Sequence, residues 1–176
     1  MTEPDLRALI RDIPDFPAAG ILFKDITPLL LDHTAVRHAV AELAEWARPR
    51  DVDYVVAAEA RGFILGGAVA HALGAGFVPA RKPGKLPHDT IAAEYILEYG
   101  VDALEMHADA LADGVRVLIH DDLLATGGTA RALAELVESL GATVAGFAFL
   151  VELEFLDGRR RLDGYDVHAL ISYDRE

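Results

Sequence analysis

The chain has no cysteine, no asparagine and no glutamine, and holds only two serines and three lysines. Without cysteine there is neither a disulfide framework nor a thiolate nucleophile. The serines, Ser139 and Ser172, stand outside any G-x-S-x-G elbow, which argues against Ser-His-Asp hydrolysis. Seven histidines show no H-E-x-x-H or other ligand spacing, so a zinc site is not expected, and neither a Walker A run nor G-x-G-x-x-G occurs. No apolar run reaches the ~18 residues of a membrane helix. The charged start MTEPDLRALIRD lacks a signal-peptide core, so the expected compartment is the cytoplasm. With 16 basic against 29 acidic residues the net charge is −13, which argues against a large footprint on a nucleic-acid backbone. The missing amides do not argue for heat adaptation, because lysine enrichment is absent; a codon bias toward Ala, Gly and Arg explains both.

What is present is an apolar fraction of 52% in 176 residues, enough for one domain spanning 1–176 that folds without a structural staple. Apolar runs of strand length alternate with helical periodicity, which predicts an α/β fold on a mostly parallel sheet flanked by helices, with sites at the strands' C-terminal ends.

The most informative stretch runs from Val115 to Gly141. Val115–Ile119 reads as a buried strand that ends before Asp121 and Asp122. Ala125-Thr126-Gly127-Gly128-Thr129 follows, then a helix with Leu133, Leu136, Val137 and Leu140 on one face, stopped by Gly141. Two glycines between strand and helix let amides turn inward, and the helix start adds unsatisfied N–H groups and a positive dipole end. Such a loop suits a phosphate monoester, and the carboxylate pair suits a diol or a water-bridged Mg²⁺. Together they describe a ribose 5-phosphate site. The plain alternative is a βα turn with glycine for geometry alone. His120, just before the acids, reads as a sheet histidine with its partners satisfied, ahead of one that tunes Asp121.

Elsewhere, Thr2–Arg11 predicts a short amphipathic helix capped by Thr2, with Leu6, Leu9 and Ile10 on one face. Residues 13–28 hold too much proline and glycine for helix and predict an ordered loop, in which Phe23 could stack on a flat ring. Thr34–Arg48 predicts a helix, Tyr54–Ala57 a strand, and Phe63–Leu73 a helix. Arg61 stands at a strand end, placed either to grip a pyrophosphate or simply to start a helix. After a strand at Phe77–Ala80, Arg81, Lys82 and Lys85 make a local cationic cluster in an acidic chain, better matched to a polyphosphate than to solvent. All three lysines, Lys24 included, lie in Gly/Pro-flanked segments and suggest point-charge contacts to phosphate. Pro87–Asp102 predicts a hairpin arm with an acidic tip where Glu98 could move a proton. Thr143–Leu153 and Val167–Ile171 predict the last strands.

Several of these runs resemble one family. "VLIHDDLLATGGTA" resembles the phosphoribosyl-diphosphate (PRPP) signature of type I phosphoribosyltransferases, with His120 where an apolar residue is usual. "IPDFPAAGILFKDITPLL", "ARGF", "RKPGKLP" and "YILEYG" resemble the base-binding, pyrophosphate, basic and catalytic-loop segments of the adenine phosphoribosyltransferases. Ala60 replaces a usual serine and His88 a common glycine. The resemblance implies a type I phosphoribosyltransferase fold with an N-terminal base-binding hood (1–33), a core (34–176) and a flexible catalytic loop. It implies Ala125, Thr126, Gly127, Gly128 and Thr129 on the 5-phosphate, Asp121 and Asp122 on the ribose hydroxyls, and Arg61, Arg81, Lys82 and Lys85 on the diphosphate. It also implies adenine held by the backbone of Leu22 and Lys24 between Phe23 and Leu153, with Glu98 and Tyr99 beside Arg61 in catalysis. Mg²⁺ would arrive with PRPP rather than on direct protein ligands, and a homodimer would let Arg81 reach the neighbouring site. An oxo-purine phosphoribosyltransferase and a non-catalytic PRPP or purine sensor are the alternatives.

Overall fold

A computed structural model describes residues 3–97 and 100–175. In chain order the elements are β1 (Arg11–Ile13), β2 (Phe23–Asp25), α1 (Thr27–Leu31), α2 (His33–Ala47), β3 (Tyr54–Ala58), α3 (Gly62–Leu73) and β4 (Gly76–Ala80). They continue with β5 (Thr90–Leu97), β6 (Gly100–His107), β7 (Arg116–Leu124), α4 (Gly128–Ser139), β8 (Thr143–Leu153) and β9 (Val167–Tyr173). Five strands pair in parallel in the order β4-β3-β7-β8-β9, while β1–β2 and β5–β6 form separate antiparallel pairs.

Alternation along the strands splits the core in two. Val56, Val117, Ile119, Phe147 and Phe149 face α4 and the β5–β6 hairpin, whereas Val55, Leu118 and Ala148 face α2 and α3. The helices that follow β3 and β7 thus lie on opposite faces, which makes the gap between those strands the topological switch point of the sheet. Pairing opens there: β3 and β7 register only as far as Ala57 opposite His120, but β7 stays paired with β8 to Leu124 opposite Glu152. The carboxylate pair therefore lies inside β7, not beyond its end as the apolar run predicts. The eleven residues of β8 supply the partners that extend the strand, whatever the polarity of its side chains.

Two N-terminal expectations are also corrected. The helix predicted over 2–11 is a single 3₁₀ turn, Arg7–Leu9, whose Ala8 amide donates to Asp5 Oδ1 at 3.2 Å; Thr2 lies outside the described residues. Arg11–Ile13 then pairs with β2, which takes its backbone out of any helix. The run 13–28, expected to be loop throughout, contains β2 and the start of α1. Pro28 fits because it stands in the first turn of α1, where no N–H is needed.

Candidate active site

The switch-point crevice is lined by the segments at the C-terminal ends of β7 and β3. One cavity of about 200 Å³ is walled by Arg61, Asp121, Asp122 and the turn Ala125–Thr129. An adjoining cavity of about 350 Å³ shares Arg61, the two aspartates and Thr129, and adds Glu59, Lys82 and Tyr95. Gly127 (φ +80°) caps α4 in the left-handed region, which only glycine adopts freely. No side chain among the described residues caps α4 and no acidic residue enters its first turn, so nothing competes for its amides.

The carboxylates differ in setting. Asp122 is almost fully buried and accepts from Arg61 Nε at 2.5 Å; Asp121 Oδ1 accepts from the Asp122 amide at 2.9 Å. Burial, reinforced by the Asp122 charge, pushes the Asp121 carboxyl well above the usual carboxylate range, with Arg61 opposing. Helix α3 begins hard against this pair, since a Cβ on Gly62 would lie 2.8 Å from Asp121 Oδ1. The Arg61 guanidinium also sits 5.0 Å from the centre of the Phe23 ring. One cation thus joins the Phe23 segment, the carboxylate pair and the Ala125–Thr129 turn, although these segments are far apart in the chain.

The cationic loop is held by groups that its own sequence does not announce. Glu59 accepts from the Lys82 amide at 2.7 Å and pairs with Arg81 at 3.3 Å. Burial raises the Glu59 pKa, but the Lys82 amide and Arg81 outweigh it and leave the carboxyl below its ordinary value. Lys82 Nζ bonds to Asp102 of β6, which also accepts from Tyr95 at 3.1 Å. Arg81 exchanges backbone bonds with Glu105, tying the loop to the hairpin. Glu59, Asp102 and Tyr95 are the residues missed by motif reading; excess acid facing the Arg81–Lys85 cluster was the only signal for them.

Not every candidate converges. Arg81, Lys85, Leu22, Phe23, Lys24 and Leu153 line neither cavity, and Leu153 packs with Leu6 and Ile26 beneath the N-terminal segment. Lys24 corrects the idea that every lysine is poised for phosphate. Its side chain is buried, pairs with Asp12 at 2.7 Å and lies over Tyr173. His120 corrects another expectation: Nδ1 donates to the Ala148 carbonyl at 2.8 Å, but buried Nε2 has no partner among the described residues. It packs against α3 at Gly66, and the charge it feels is Asp122 rather than Asp121. Glu98 and Tyr99 lie outside the described residues.

The phosphoribosyl transferase domain pattern matches residues 29–170. The adenine phosphoribosyltransferase of Thermotoga neapolitana is 59% identical over 169 residues, covering 96% of this chain and 99% of that one. The crystal structure of the adenine phosphoribosyltransferase from Thermoanaerobacter pseudethanolicus superposes with a TM-score of 0.95 at 55% identity, over 98% of this chain and 100% of the other. The Saccharomyces cerevisiae adenine phosphoribosyltransferase, complexed with an imino-altritol bisphosphate and adenine, gives 0.89 at 40% identity, over 94% and 96%. With a parallel sheet split at its switch point beside a glycine turn and a carboxylate pair, and with relatives this similar along almost its whole length, the chain belongs to the adenine phosphoribosyltransferases of the type I phosphoribosyltransferase family.

Proposed function

We propose that the protein transfers the 5-phosphoribosyl group of PRPP to adenine, giving AMP and diphosphate. The observation that carries this reading is the single crevice in which the Ala125–Thr129 turn, Asp121, Asp122 and Arg61 meet, with the Phe23 ring against the same arginine. In it the turn takes the 5-phosphate through amides and threonine hydroxyls, and the aspartates take the ribose hydroxyls. Arg61, Arg81, Lys82 and Lys85 take the diphosphate. Adenine stacks on Phe23, its edge read by the backbone of Leu22 and Lys24 and its other face covered by Leu153, with residues 1–33 as the hood.

The exchange at the anomeric carbon develops positive charge on the ribose. Carboxylates beneath it and cations on the departing diphosphate both favour that distribution, in a site where fixed charges need no reorganisation. Catalysis in this reading also falls to Glu98 and Tyr99, which follow Leu97 in the sequence, with Glu98 handling the purine proton. Mg²⁺ belongs to the substrate in this scheme. Among the described residues no cluster of three or more His, Cys, Asp or Glu side chains is arranged to hold a metal, while Asp121 and Asp122 suit water-bridged contact to an ion carried by the diphosphate. A cytoplasmic homodimer completes the reading, with Arg81 available to the neighbouring site. Among the described residues no helix is long and apolar enough to cross a membrane.

The test is incubation with Mg²⁺ and PRPP and, separately, adenine, guanine, hypoxanthine or xanthine. AMP and diphosphate from adenine alone are expected. An oxo-purine nucleotide in place of AMP would move the assignment to another phosphoribosyltransferase. Binding of PRPP with no product from any base would make the chain a sensor.

A further inference from the structure

The segment after β8 lies directly behind the phosphate turn. A Cβ on Gly158 would overlap the Ala125 carbonyl oxygen and come within 3.1 Å of Leu124 Cδ1. A Cβ on Gly127 would in turn overlap the Gly158 carbonyl oxygen and lie 3.2 Å from Arg161 Cβ. Two backbones therefore meet with no side chain between them, one the turn that ends β7 and the other the Gly158–Leu162 3₁₀ turn. That contact leaves no room for a side chain on the turn's outer side.

What holds Gly158 in place is a buried charge pair. Glu152, 2% exposed, sits on β8 opposite Leu124, the last residue of β7 before the phosphate turn. Arg159 grips it with a two-pronged bond, Nε to Oε1 and Nη2 to Oε2, both at 2.7 Å. The remaining arm, Nη1, donates to the Val167 carbonyl at the start of β9 at 2.9 Å. One guanidinium thus fastens the 3₁₀ turn to two core strands at the residue next to Gly158. Leu162, buried in the core beside α4, anchors the turn's other end.

We infer that Gly158, clamped by Arg159 on Glu152, is a positioning device for the 5-phosphate turn. None of the three lines either cavity; they act by fixing the curvature of Ala125–Gly128, and with it the aim of the amides. A lysine at 159 keeps the charge but loses the planar fork, so it cannot hold both oxygens and the Val167 carbonyl together. The inference rests on the 5-phosphate reading of the turn, and it concerns affinity for that group in particular.

Ribose 5-phosphate is the probe, because it carries the monoester without adenine or diphosphate. Its binding is measured by calorimetry in the full chain, alongside KM for PRPP and inhibition by inorganic diphosphate. Gly158→Ala and Arg159→Ala should each weaken ribose 5-phosphate and raise KM for PRPP by about tenfold or more, since small misplacements of a binding group are costly. Diphosphate inhibition should stay within about twofold, Arg159→Lys should fall between, and Arg160→Ala, altering an exposed neighbour, should match wild type. Folded Gly158→Ala and Arg159→Ala that bind ribose 5-phosphate as wild type does would overturn the inference, as would equal losses for ribose 5-phosphate and diphosphate. If Gly158→Ala does not fold, the Arg159→Lys and Arg159→Ala pair decides on the same readouts. Wild-type protein that does not bind ribose 5-phosphate would instead overturn the phosphate-site reading itself. Binding without AMP formation would count against the activity alone and leave the clamp standing.

Discussion

His120 lies in β7 two residues before Asp122, fully buried, with Nδ1 donating to Ala148 and nothing on Nε2 among the described residues. Burial lowers its pKa from 6.5 to about 4, with the Ala148 bond and the Asp122 charge recovering only part of the shift. At pH 7 the ring is neutral in the folded and mostly neutral in the unfolded chain, so it costs almost nothing. Below 6.5 the unfolded ring takes up a proton that the folded one refuses until about pH 4. Stability is therefore present above the unfolded value and lost as pH falls from 6.5 toward 4. At one pKa unit per about 1.4 kcal/mol, the loss from this residue is about 2 kcal/mol between pH 7 and 5, and about 3 kcal/mol once both states are charged.

His120→Val keeps a β-compatible, similarly sized apolar group at the position and removes the titration. Urea unfolding at pH 7 and pH 5, at one fixed protein concentration, gives the stability difference for each protein. The other six histidines and all the carboxylates contribute alike to both, so the difference between the two differences isolates His120. Wild type should lose about 2 kcal/mol more than the variant on going to pH 5. Equal losses would refute the buried, unprotonated assignment. A variant that lost more than wild type would mean that His120 is held charged in the fold.

Three further changes address the site. Asp122→Asn removes the charge-assisted bond to Arg61 and should raise KM for PRPP roughly tenfold; by relieving Asp121 of a like charge it should also shift the acid limb of PRPP binding to lower pH, and an unchanged kinetic profile would contradict the ribose role. Asp102→Asn frees Lys82 from a half-exposed pair and should tighten inhibition by inorganic diphosphate roughly two- to fivefold, whereas weaker inhibition would make Asp102 a diphosphate-site organiser rather than a competitor. Glu98→Gln should cut turnover by about a hundredfold or more while leaving KM for PRPP near wild type, and unchanged turnover would remove this glutamate from the proton transfer.

Legibility followed sequence distance. The β7–turn–α4 unit was readable because its parts are contiguous: strand, paired acids, Gly127-Gly128 and an apolar helix face appear in the order in which they are used. Arg61 and the Arg81–Lys85 cluster were recognisable as cations near glycine, but not for what they touch. Their partners are 61, 22 and 20 residues away, in Arg61–Asp122, Arg81–Glu59 and Lys82–Asp102, and no periodicity marks such pairs. Proline misled at residue 28, where the first turn of a helix accepts it. The apolar run misled at Ile119, because the end of β7 is set by β8 alongside it.

By itself, then, the sequence determined the order of strands and helices from α2 onward, the parallel α/β class and a glycine turn between strand and helix at one strand end, because these follow from local periodicity and backbone freedom. Only the tertiary structure decided that β3 leaves β7 after Ala57, opening the crevice, and that Arg61 bridges Asp122 and Phe23 across it. It alone revealed that Lys24 is buried in a pair and that Gly158 stands against the Ala125–Gly127 turn, next to the Arg159–Glu152 pair. Those are contacts between distant segments, and they exist only once the packed core has fixed where each strand ends.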